Sequence, residues 1–163
     1  MCAGAQSLPF PDGRFDLVVC VATIEFTSHP GRVFSECARV LRPGGSLFVN
    51  TVNRFSLAVE PHVGLWGVGF LPRAWQAPYV RARGRGNFAG VNLLSHGELD
   101  RLGKAHFSHR QIGPARIPDG LVADLPTGPR MAARGYRRLQ AVPLLRALLR
   151  RLGPEWDVLL TRD

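Results

Sequence analysis

Phe15-Asp-Leu-Val-Val-Cys-Val21, entered through Leu8-Pro-Phe-Pro-Asp-Gly13, is the stretch on which the reading of this chain turns. Apolar residues, half of them β-branched, surround the single Asp16. Such a run predicts a short strand with helices on both faces, the behaviour of a central strand in a parallel α/β sheet. A central strand normally follows other strands, yet this one begins at Phe15.

Working outward, Leu8–Gly13 is a loop by its turn chemistry, Pro9, Pro11 and Asp12-Gly13. After Ala22–His29, a helix is expected from Pro30 or Gly31, with Val33, Phe34, Cys37, Ala38, Val40 and Leu41 on one face. Pro43-Gly44-Gly45 is expected to stop that helix and turn the chain. Ser46–Val52 reads as the next strand, so Phe15–Val52 is a β-α-β unit with a parallel crossover.

Residues 54–94 read as an irregular insertion in which Trp66, Phe70, Trp75, Tyr79 and Phe88 alternate with arginines. Ser95 and Glu98 form a capping-box pattern that opens a helix running to about Ala105. A strand is expected near Arg110–Ile112, and a Pro/Gly-rich linker over 118–135. Pro143 then begins a helix with a leucine stripe, Leu144, Leu145, Leu148, Leu149 and Leu152. Glu155–Arg162 reads as a closing strand. The chain divides into a β-α-β core (1–53), an insertion or cap (54–94) and C-terminal elements (95–163) within one domain.

At 163 residues, 45% hydrophobic and 20% charged, the composition is that of a globular domain with a real core. The formal charge is +9, and Lys104 is the only lysine among 21 basic residues. A basic balance fits either a nucleic-acid or anionic-membrane partner or a genome-wide preference for arginine. Cys2, Cys20 and Cys37 lack the even count of a disulfide framework and read as reduced thiols. Met1–Gln6 has neither the basic nor the apolar region of a signal peptide, and no apolar run approaches the roughly 20 residues of a membrane span. The expected location is cytoplasmic, or peripheral at a membrane.

Leu8–Cys20, Ile24-Glu25 and Glu36-x-x-Arg39-Val-Leu-Arg-Pro-Gly-Gly45, taken together, resemble the class I S-adenosylmethionine (SAM)-dependent methyltransferases. The similarity is to the methyltransferase type 11 branch, which includes ubiquinone-type O-methyltransferases. Thr51-Val-Asn-Arg54 resembles that branch's Thr-Pro-Asn-Arg segment, and Leu93-Leu-Ser-x-x-Glu98 with Ala105-His-Phe107 resembles its penultimate helix and following turn. The resemblance implies a partial Rossmann-like sheet: strands four to seven, the last antiparallel, with the aromatic, Arg-rich insertion. Counterparts of strands one to three and of the Gly-rich cofactor loop are not expected. The chain is therefore expected to supply one wall of the SAM site, and to be impaired alone.

On that wall the resemblance places Gly4 and Ala5 beside the adenine, and Val21 and Ala22 at the carboxyl end of the strand where such sheets bind ligands. It aligns Ala22–Phe26 with a segment that in some members carries two acids and a His for a divalent metal. Glu25 alone is kept here, and one carboxylate does not hold a hard cation. No metal site is predicted.

Transfer to a hydroxyl acceptor needs alignment and a proton acceptor. The candidates are His29, Glu60 and His62, with Glu25 and His62 the selected catalytic pair. Cys20 is read as core. The expected function is SAM-dependent methylation of a small, lipophilic or aromatic acceptor. The alternatives are a non-catalytic methyltransferase-like interaction module and a nucleic-acid methyltransferase, the latter suggested by charge around Arg137–Leu152. The insertion 57–88 is a candidate membrane contact. The strand at Phe15, having no strand-one partner, is a candidate edge for self-association.

Overall fold

The computed structural model describes residues 4–163; Cys2 and the first part of the Met1–Gln6 reading lie outside them. The elements are β1 (Phe15–Val21), α1 (Pro30–Val40), β2 (Leu41–Val52), α2 (Arg73–Ala82), α3 (His96–Lys104), β3 (His109–Pro114), α4 (Asp119–Asp124), α5 (Thr127–Ala141), α6 (Pro143–Leu152) and β4 (Glu155–Thr161). The strands form one mixed sheet in the order β1-β2-β4-β3. β1 and β2 are parallel, and β4 runs antiparallel to both β2 and β3. The expected α/β sheet with an antiparallel closing strand is what forms.

Alternation sets the core. Leu47, Val49 and Thr51 of β2 and Trp156, Val158 and Leu160 of β4 face one side, where Val33, Phe34 and Cys37 of α1 and Leu99 of α3 close over them. Pro30 occupies the first turn of α1, where its missing N–H has no intrahelical partner to lose. At the far end of α1, the Arg162 guanidinium donates to the Ala38 carbonyl at 2.6 Å and to those of Arg39 and Leu41, satisfying acceptors that a helix end leaves open. The Ser95–Glu98 capping box of α3 is fully formed.

The loop into β1 is held from α1. Arg39 donates to Leu8 O at 3.0 Å, Phe10 O at 2.8 Å and Asp12 Oδ1 at 2.7 Å. Glu36, paired with Arg39 at 2.9 Å, accepts from the Leu8 N–H at 2.8 Å. These bonds account physically for Glu36-x-x-Arg39: one turn of helix fixes the arc that aims the strand.

Four expectations are corrected. Pro43-Gly44-Gly45 does not precede the strand but lies inside it. β2 starts at Leu41, and the register jumps from Phe15↔Leu41 to Leu17↔Ser46, so the intervening residues bulge, with Gly44 at φ +76°. The segment 54–94 is not wholly irregular. It contains α2, which starts after Pro72 and carries Pro78 inside it, and it has its own apolar cluster of Val52, Val63, Val68, Val80, Phe88 and Leu93. The segment closes tightly on its own start: a Cβ on Gly69 would stand 1.6 Å from Arg54 O. The linker over 118–135 is helical, because Pro118 and Pro126 lie just outside α4 and α5 and start them rather than break them.

The fourth correction concerns β1. Its inner face (Phe15, Val18, Cys20) packs on the core, but Leu17, Val19 and Val21 on the other face are 54%, 59% and 51% exposed. Helices therefore cover one face of this strand among the described residues, not both. β1 is also the end strand in the sheet order. The leucine stripe of α6 is exposed in the same way, at Leu144 and Leu148.

Candidate functional site

The two parallel strands deliver the site from their carboxyl ends. After Val21 the chain enters a single 3-10 turn, Ile24–Phe26, which buries Ile24 and Glu25. After Val52 it runs through an Asn53-centred corner, where Asn53 Nδ2 donates to the carbonyls of Arg151 and Gly153, both at 2.8 Å. A tight turn follows, closed by Glu60 N–H to Leu65 O at 2.9 Å. This turn brings Glu60 and His62 back over Glu25.

Glu25 is fully buried. Its Oε2 accepts from Thr51 Oγ1 at 2.8 Å, while Oε1 has no hydrogen-bond partner among the described residues. His62 Nε2 faces that oxygen at 3.9 Å, beyond a hydrogen bond. The other ring nitrogen, Nδ1, donates to Glu60 Oε1, and Glu60 Oε2 accepts from the Val63 N–H at 3.0 Å. Phe26 meets the imidazole edge to face at 4.9 Å.

The chemistry follows from the donor inventory. A carboxylate accepts only, so Glu60 requires the proton on Nδ1 and leaves the Nε2 lone pair free. If Nε2 takes a proton, the imidazolium lies between two carboxyl groups, with Glu25 Oε1 at 3.9 Å as a charge neighbour. The arrangement is that of an oriented base backed by a buried acid.

The expected pair Glu25 and His62 thus stands together, and Glu60 joins it. His29 stands apart, its Nδ1 at 2.8 Å from Ser28 Oγ. Thr51 is the member that sequence reasoning missed. The available signal was periodicity: a hydroxyl on the face of β2 that buries Leu47 and Val49 needs a polar partner.

Of the residues expected beside the cofactor, Val21 and Ala22 are exposed at the end of β1. Ala22, the one non-glycine residue with positive φ (+46°) among those described, donates its N–H to Asn50 O at 3.0 Å. Left-handed backbone at an alanine costs roughly 1–2 kcal/mol. Gly4 is exposed, and Ala5 packs against the main core. These residues offer backbone groups and apolar surface, not charge. Such groups can meet an adenine ring and a methylsulfonium, and they offer no partner to a ribose or a carboxylate. Cys20 and Cys37 are inert core thiols: burial pushes both up, Cys37 to about 12.

Leu57, Val59, Trp66 and Phe70, in the same segment as His62, are exposed. The Trp66 Nε1–H donates to Leu57 O at 3.0 Å, and the Trp66 and Phe70 rings stack with centroids 6.2 Å apart. No helix among the described residues is long and apolar enough to cross a membrane.

Residues 1–49 match the methyltransferase domain family. A ubiquinone biosynthesis O-methyltransferase of Xanthomonas oryzae pv. oryzae is 45% identical over 51 residues, which is 29% of this chain and 21% of that protein. A SAM-dependent methyltransferase of Thermotoga maritima superposes with a TM-score of 0.58 at 20% identity, over 99% of this chain and 62% of that one. A phosphoethanolamine N-methyltransferase of Haemonchus contortus, solved with SAM, gives 0.52 at 12% identity, over 98% of this chain and 36% of that one. The matched segment spans about a fifth of the curated O-methyltransferase, and the chain about three-fifths of the Thermotoga structure.

Proposed function

We propose that the chain, whose residues 1–49 match the methyltransferase domain family, is a class I SAM-dependent methyltransferase and forms the acceptor wall of a methyl-transfer site for a hydroxylated aromatic or lipophilic small molecule. The observation that carries this reading is His62, held by Glu60 with Nε2 3.9 Å from the unpartnered oxygen of buried Glu25. When bound, SAM supplies an electrophilic methyl group. The chain's own residues do the rest. Val21 and Ala22 present backbone and apolar surface to the cofactor. Phe26, Leu57 and Trp66 receive the acceptor's apolar body. His62 Nε2 takes the hydroxyl proton, and Glu25 and Glu60 hold the resulting imidazolium. Exposed Trp75, in the first turn of α2, adds to the apolar surface of the segment 54–94. That surface suits an acceptor held at a lipid headgroup boundary, so peripheral membrane contact forms part of this proposal.

The test is methylation of a catechol by the protein, with His62→Gln and Glu60→Gln beside the wild type. His62→Gln is expected to lower kcat by about 10²-fold or more, with SAM affinity unchanged. Glu60→Gln, which keeps the ring but weakens its orientation, should cost less. Equal kcat in wild type and His62→Gln would overturn the assignment.

A further inference from the structure

The methyl-transfer reading leaves the β3–β4 half of the sheet without a role. There an open cleft of about 820 Å³ lies between these strands, the end of α5 and α6. Guanidinium-bearing residues line it from three directions: Arg110 and Arg116 on β3 and just past it, Arg137 on α5, and Arg146 and Arg150 on α6. Two of them are answered, Arg110 by Asp100 at 3.3 Å and Arg137 by Asp119. The Arg116, Arg146 and Arg150 side chains have no carboxylate within salt-bridge distance among the described residues.

The remaining acid on the wall is already engaged. Asp157 Oδ1 accepts from Asn50 Nδ2 at 3.1 Å, and Oδ2 accepts from the Arg116 backbone N–H at 2.8 Å. Phe48 and Leu159 give the cleft an apolar floor. Three unanswered cations around one concavity repel each other, and a multiply charged anion relieves that repulsion while accepting forked N–H bonds.

We propose that this cleft is a second ligand site, which binds a small phosphate-bearing molecule, with Arg116, Arg146 and Arg150 on the phosphates and Phe48 and Leu159 under the organic part. It shares no residue with the Glu25–Glu60–His62 cluster. A nucleic-acid backbone is the rival occupant of a basic surface. The concave shape, a volume within the roughly 300–1,000 Å³ range of small-ligand pockets, and the apolar floor favour the small molecule.

The experiment is calorimetric titration of the full chain with inorganic pyrophosphate at low and at high salt. Saturable binding is expected, weakened by salt. It should fall at least about tenfold in the Arg146→Ala/Arg150→Ala double variant. Both residues are exposed, and the bond from Trp156 Nε1 goes to the Arg150 backbone carbonyl, which alanine keeps. Unchanged circular dichroism checks the fold. An Arg83→Ala/Arg85→Ala variant, altered outside the cleft, should bind as wild type. Absence of saturable binding, or equal loss in both double variants, would overturn the proposal. A single-stranded RNA that binds through Arg146 and Arg150 and is not displaced by pyrophosphate would also overturn it, in favour of a nucleic-acid surface.

Discussion

Thr51 Oγ1 donates to Glu25 Oε2 at 2.8 Å, and this bond ties the end of β2 to the turn that follows β1. It is the one hydrogen bond found for a fully buried carboxyl group among the described residues. Everything placed on the acceptor side depends on where Glu25 sits, so the bond is also a test of the site's architecture. Thr51→Val keeps the shape and removes the donor, leaving both Glu25 oxygens unpartnered. A destabilisation of about 1–3 kcal/mol is expected, read as a lower urea midpoint at unchanged slope. Thr51→Ser, which restores the hydroxyl, should recover most of it. A Thr51→Val midpoint equal to wild type would show that the bond contributes nothing.

The loop that aims β1 should make stability depend on acid. Hydrogen bonds from Arg39 and from the Leu8 N–H hold the Glu36 carboxyl at about 2, below the usual glutamate value of 4.5. At Glu98, burial acts upward, but hydrogen bonds from Arg73 and Ser95 outweigh it and also hold that carboxyl at about 2. A carboxyl depressed in the folded state contributes stability that is fully present above its unfolded value and is lost as pH falls toward its folded value. The loss should therefore run from about pH 4.5 down to about 2. Glu36→Gln should be less stable than wild type at pH 7, lose less on acidification, and converge with it near the bottom of that window. Urea midpoints measured from pH 7 down to about 2 check this. Parallel curves for the two proteins would refute it.

How much of this was legible from residues alone depends on how local the determining physics is. The β1 strand, the amphipathic α1, the Ser95 capping box and the Pro143 helix start are set within a few residues, and their positions could be read directly. The placement of Glu25 against His62 depends on where a loop returns after Asn53, which no periodicity encodes. Both residues were nominated by type and position, but their meeting at 3.9 Å needed the fold. The helices over 118–135 were hidden because proline and glycine mark breaks and starts alike, and only the neighbouring backbone decides which. Thr51 was readable in principle from strand alternation. Its carboxyl partner was not, since it lies 26 residues away along the chain.

The exposed face and edge of β1 carry the last prediction. Leu17, Val19 and Val21 form an apolar row on the end strand of the sheet, beside backbone groups with no neighbouring strand among the described residues. Such a row invites pairing with another chain unless charge interrupts it. The 163-residue chain should therefore self-associate, seen as a concentration-dependent rise in mass by light scattering. Val19→Lys puts a charge in the middle of the row at a position already 59% exposed, so it should shift the population toward monomer with circular dichroism unchanged. The exposed leucines of α6 offer a rival surface, and Leu144→Lys distinguishes them: at 79% exposure it tolerates lysine equally well, yet should leave association through β1 intact. If Leu144→Lys dissolves the assembly and Val19→Lys does not, the contact belongs to the helix stripe. If the unmodified chain is a monodisperse monomer, the open strand is not an association surface at all.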